Sequence, residues 1–135
     1  MKKYFNLATF YLILGLAMGV FYREFTKING FEGKTSLSII HTHILTFGFI
    51  FFILVLLLEK NFNLSQNKNF KKWCIFYNIS LIYLVVTFTI RGTFQVLGHD
   101  FVGLNHISGL SHVLLSIALI WFTIICNKAI KNWYI

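Results

Sequence analysis

Charged residues along this chain fall in a few clusters, and long apolar stretches lie between them. Four of these stretches approach the ~20 residues a helix needs to cross a bilayer. They cover residues 5–22, 37–58, 73–90 and 105–126; the fourth starts between Phe101 and Leu110 and ends near Cys126. The pattern predicts an all-α integral membrane protein with four transmembrane helices. No stretch outside the spans is long enough for a second domain, so residues 1–135 read as a single four-helix transmembrane unit. The first span follows Lys2 and Lys3 as a secretory signal would. Its long apolar region and the lack of a small-x-small site make it an uncleaved helix. No internal repeat is present, and the Asn/Lys-rich stretch 61–72 reads as a solvated connection.

Composition supports this. Of 135 residues, 57% are hydrophobic and 12% charged, against about 25% charged in a soluble domain. With a mean hydropathy of +0.72, a small globule has too little interior to hide the apolar surface. The partner is a lipid bilayer. The net charge of +8 does not point to nucleic acid, because no basic stripe is interleaved with aromatics. It reports topology instead. The N-terminus (Lys2, Lys3), second loop (Lys60, Lys68, Lys71, Lys72) and tail (Lys128, Lys131) carry eight of the twelve basic residues. The first and third loops hold Arg23, Lys27, Lys34 and Arg91 beside Glu24, Glu32 and Asp100. The positive-inside rule then places both termini in the cytoplasm. Tyr4, Tyr22, Trp73, Tyr77, Trp121, Trp133 and Tyr134 read as interfacial anchors. The absence of proline weakens a transporter reading based on broken helices.

With that orientation, all five histidines (His41, His43, His99, His106, His112) lie in the outer half of the membrane or the third loop. If span two starts near Ser36 and span four near Asn105, His43 and His112 lie roughly 10 Å inside on parallel helices. In His41-Thr42-His43, positions i and i+2 are about 200° apart around a helix, so the two rings serve different neighbours. On the His112 face, Asn105, Ser108, Gly109 and Ser116 form a small, polar stripe that admits a close partner. Intramembrane histidines also form interhelical hydrogen bonds of about 1 kcal/mol, so a bland role competes with a ligand role. His99 and His106 lie nearer water and read as loop residues.

Copper trafficking fits poorly, since soft Cu(I) prefers thiolates and thioethers, and the chain has two methionines and two cysteines. Cys74 and Cys126 fall at the opposite end and read as reduced and structural. No carboxylate reaches span depth to complete a zinc site or a carboxylate-based proton pump. Haem fits better: it needs one or two imidazoles, an apolar pocket and cations for its propionates. Arg91 and Arg23, closing spans three and one, are the candidate carboxylate partners; snorkelling to the interface is the competing role. Gln95 is a further polar contact.

Several segments resemble a family of small bacterial four-helix membrane proteins, catalogued mainly as a domain of unknown function: Phe21-Tyr22-Arg23-Glu24-Phe25-Thr26-Lys27, His41-Thr42-His43, Arg91-Gly92 with Gln95-Val96-Leu97-Gly98, and Gly109-Leu110-Ser111-His112. A more distant resemblance is to the haem–copper oxidase core subunit, whose His-x-His helix directs two rings toward two haems. That resemblance implies a homotrimer reproducing twelve helices in three arcs, with His41 and His43 in the His-x-His positions and His112 as an opposing ligand. Gly15-Leu16-Ala17-Met18-Gly19 permits close helix contact within or between protomers. The adjacent His-His pair of the oxidase copper site and an acidic proton channel are missing, so oxygen reduction and pumping are not implied.

The resulting expectation is a haem-b-binding protein of the bacterial cytoplasmic (inner) membrane, homo-oligomeric, serving electron transfer or redox/gas sensing. His41, His43 and His112 are the axial or metal ligands, and a respiratory-chain donor or acceptor is the partner. Whether it is an enzyme is left open, and no catalytic residue is assigned. The alternative is a non-catalytic membrane protein, small transporter or accessory subunit whose histidines form interhelical hydrogen bonds or a metal or proton site.

Overall fold

The structure, a computed structural model, describes residues 1–99 and 101–133; Asp100, Tyr134 and the Trp133 side chain lie outside this description. Its helices are α1 (Lys2–Ile28), α2 (Leu37–Phe62), α3 (Phe70–Val96) and α4 (Val102–Trp133). All four are long and apolar enough to cross a membrane, and no strand occurs among the described residues. At 1.5 Å per residue, a 27-residue helix extends roughly 40 Å, beyond the ~30 Å hydrocarbon core. The helices therefore outrun the apolar windows, and their charged ends stay helical.

Local chemistry sets those ends. After α1, Gly30 takes φ +58°, while Phe31 N–H donates to the Thr26 carbonyl (2.9 Å) and Gly30 N–H to Lys27 (3.2 Å). After α3, Gly98 takes φ +78°, and His99 N–H donates to Phe94 (2.8 Å). A left-handed residue here directs the next N–H groups back onto the last free carbonyls, a conformation that glycine adopts without a Cβ clash. The start of α2 is capped from another helix: the Gln95 side chain on α3 accepts from Ser36 N–H at 2.7 Å. Thr35 Oγ1 accepts from Leu37 N–H at 3.2 Å and donates to the Gly92 carbonyl at 2.9 Å. Gln95 thus holds a helix terminus in place.

Helix α1 packs on α2, α2 on α3, and α3 on α4, with α4 also reaching the last half of α2. The central helix is α3, half buried inside the bundle. Helix α4 buries Ser108, Ser111, Leu115, Ala118, Phe122 and Ile125, alternating steps of three and four that make a narrow seam. Gly15 lies against Leu45 and Ile44, Gly19 against His41, and Gly48 against Tyr11. The Gly15/Gly19 pattern is therefore used within the protomer, where missing side chains let α1 and α2 approach closely.

The interfacial role expected for Trp73 and Tyr77 is corrected. Both are fully buried, in an aromatic cluster where Phe51 and Tyr77 stack at 4.6 Å and Trp73 and Phe122 at 4.5 Å. The polar atoms of these rings are satisfied inside the bundle, which is what allows burial: Trp73 Nε1 donates to the Ala118 carbonyl at 2.8 Å and Tyr77 OH to the Phe47 carbonyl at 2.7 Å. Tyr11 OH donates to Asn78 Oδ1 at 2.8 Å and ties α1 to α3.

Candidate functional site

Helix α2 begins as an α-helix, Leu37–His43, and widens into π-helical turns over Ile44–Ile50. The His-Thr-His segment ends where the widening begins. π-Helical turns shift the register of the side chains beyond them and are found often at functional sites. The Tyr77–Phe47 hydrogen bond reaches a carbonyl in this segment and anchors it to α3.

The two rings of His41-Thr42-His43 diverge. His41 lies against Gly19 on α1, 3.7 Å from a Cβ placed there, and its buried Nδ1 has no hydrogen-bond partner among the described residues. His43 turns toward α3 and α4. Its ring centroid is 6.2 Å from that of His112, with the planes at 88°. Phe88 on α3 completes the group, 5.9 Å from His43 and 5.4 Å from His112, and Phe47 lies 5.8 Å from His43.

One nitrogen of His43 is already committed. Its Nδ1 is 2.8 Å from the Ile39 carbonyl, one turn back on α2. A carbonyl only accepts, so Nδ1 carries the proton and Nε2 keeps its lone pair. This hydrogen bond selects the tautomer and orients the ring as a ligand. His112 is exposed in the protomer, as are Asn105, Gly109 and Ser116 on the same face. Ser108, expected to share that stripe, turns inward, and its Oγ donates to the Leu104 carbonyl at 2.7 Å.

The other candidates separate. Arg91 is half-buried on α3, three residues beyond Phe88 and so one turn nearer the helix end. Arg23 is 81% exposed, with its Nε 3.8 Å from Glu24. His99 and His106 are exposed and take no part in the His43–His112 contact. Cys74 and Cys126 are free thiols. Among the described residues, no group of three His, Cys, Asp or Glu side chains is placed to hold a metal ion. The site thus offers two imidazoles in edge-to-face contact and an aromatic wall. Sequence reasoning missed Phe88 and Phe47, because nothing distinguishes them among sixteen phenylalanines.

Four apolar helices, each long enough to cross a bilayer, define a small multi-pass membrane protein. The chain belongs to the family described as "Protein of unknown function (DUF2871)", whose pattern matches residues 1–129. No curated protein and no solved structure matches it.

Proposed function

We propose that this protein is a haem-b-binding protein of the bacterial cytoplasmic membrane, with His43 and His112 as axial ligands. The supporting observation is the closeness of the two imidazoles, their ring centroids 6.2 Å apart with perpendicular planes. Imidazoles at about this separation would each be within reach of one haem iron held between them. Donor count favours haem over a bare ion. A structural zinc site takes four protein ligands, whereas haem brings its own four nitrogens and asks the protein only for axial ones. The Ile39 carbonyl holds His43 in the tautomer that presents Nε2.

The donor types suit haem, but Phe88 occupies the space beside the two rings. Phe88 is nearly equidistant from the two imidazoles, so its ring lies beside their midpoint, where a macrocycle extends sideways. Binding therefore requires the Phe88 side chain to turn aside. Arg91, one turn beyond it on the same helix, is the better-placed partner for a propionate; Arg23 is exposed on α1. Bound haem supplies a one-electron couple, and two protein ligands leave no open position for a gas, so electron transfer to or from a respiratory-chain partner is the favoured role. His41, which faces α1, supports a second, separate contact.

Both termini and the second loop are assigned to the cytoplasm on the Lys/Arg bias, which puts the imidazoles in the outer half. A homo-oligomer, with a trimer matching the arcs of the haem–copper oxidase core, is supported by the exposed Asn105, Gly109, His112 and Ser116 on α4. Polar groups facing lipid are costly, and small residues favour a neighbouring helix.

The test is the visible spectrum of protein purified from haem-replete cells, oxidised and reduced. A Soret band that His43→Ala and His112→Ala each shift or abolish, and that His99→Ala leaves unchanged, supports the reading. A folded protein that stays colourless after haem addition overturns it. The edge-to-face contact of the two imidazoles and their tilted contacts with Phe88 favour a second reading, a purely structural aromatic cluster. In that case His112→Phe keeps the stability of the parent.

A further inference from the structure

At the opposite end of the bundle, the α2–α3 loop and the end of α4 enclose an open cavity of about 230 Å³. Asn63, Gln66, Asn67 and Lys128 supply polar lining, and Phe62, Leu64 and Ala129 the apolar remainder. The loop is built rather than slack. Asn63 reverses the chain at φ 49°, a single 3₁₀ turn covers Leu64–Gln66, and Glu59 Oε2 accepts from Ser65 N–H at 2.8 Å. Asn67 Oδ1 accepts from Asn69 N–H at 3.0 Å.

Charge decides what this cavity attracts. Helices α2 and α4 both end here, and each C-terminus contributes about half a negative charge. Against these and Glu59 stand Lys2, Lys3, Lys60, Lys68, Lys71, Lys72, Lys128 and Lys131 at the same end, so the field is positive. Amides and a lysine beside apolar Phe62 and Ala129, at the end of membrane-length helices, suit an anionic headgroup carried on an apolar body. Basic pockets between helices at such a boundary bind anionic lipid headgroups.

We propose that this cavity binds the phosphate headgroup of an anionic phospholipid. The phosphate meets Lys128 and the Asn63, Gln66 and Asn67 amides, and the glycerol and first methylenes lie against Phe62 and Ala129. The site is independent of the imidazole pair.

The experiment uses the full chain in mixed micelles of equal phosphatidylglycerol and phosphatidylcholine, with retained lipids counted by native mass spectrometry. The parent protein retains phosphatidylglycerol preferentially. Lys128→Gln lowers that preference about fivefold, Gln66→Leu lowers it as well, and Lys34→Gln at the other end leaves it unchanged. Circular dichroism confirms that each variant is folded. Equal retention of both lipids by the parent overturns the proposal. So does a preference that survives both Lys128→Gln and Gln66→Leu, which marks diffuse attraction. Displacement by millimolar inorganic phosphate overturns the lipid assignment in favour of free phosphate.

Discussion

Gly92→Ala tests how the fold holds the imidazole pair. A Cβ at Gly92 stands 2.6 Å from the backbone nitrogen of Leu37 and 3.0 Å from Thr35 Oγ1. Ordinary contact needs roughly 3.5 Å, and the first obstacle is backbone, so the start of α2 must retreat by roughly 1 Å from α3. Overpacking of this kind costs about 1–3 kcal/mol. Retreat also stretches the Thr35–Gly92 and Ser36–Gln95 hydrogen bonds, at about 0.5–1.5 kcal/mol each. The gain in helix propensity returns about 1 kcal/mol. The expected net loss is about 1–5 kcal/mol, measured by SDS-titrated unfolding in mixed micelles followed by circular dichroism. Gly103→Ala, with nothing within 4 Å of its Cβ, serves as the control and stays within about 0.5 kcal/mol of the parent. Because His43 lies two turns into α2, Gly92→Ala also moves it relative to His112 and weakens haem retention. A Gly92→Ala protein as stable as the parent refutes the close approach of α2 to α3 and the cap that depends on it.

Tyr77→Phe removes the hydroxyl that the Phe47 carbonyl accepts. It is expected to destabilise by about 1–2 kcal/mol in the same titration and to broaden the Soret band as the π-helical segment loosens. Phe88→Leu gives up two ring contacts, at about 0.5–1.5 kcal/mol each, yet speeds haem uptake in stopped-flow absorbance by clearing the plane between the imidazoles. An unchanged uptake rate removes Phe88 as the obstacle. Gly109 has nothing within 4 Å of its Cβ in the protomer, so Gly109→Leu leaves protomer folding unchanged and lowers the assembled fraction in native mass spectrometry. A mass distribution identical to the parent's contradicts packing of a second copy on that α4 face.

The chain by itself determined the four helices, because runs of this length and apolarity have no other solvent than lipid, and lipid demands that each backbone satisfy its own hydrogen bonds. Helical geometry also made His41 and His43 diverge, since two residues' separation turns a ring through more than half a circle. The sequence left open which neighbour each ring would meet. That depended on Gly19 receiving His41 and on α3 bringing Phe88 against both His43 and His112, contacts among residues far apart in the chain. Trp73 and Tyr77 resemble interfacial anchors in sequence because hydropathy carries no record of a carbonyl waiting inside the bundle. The partners Ala118 and Phe47 decided their burial. The same holds for Gln95, whose role as the cap of α2 exists only because Gly92 lets two helices touch. Local pattern specifies elements through backbone chemistry repeated at every residue, whereas the site arises from a few single contacts that only packing creates.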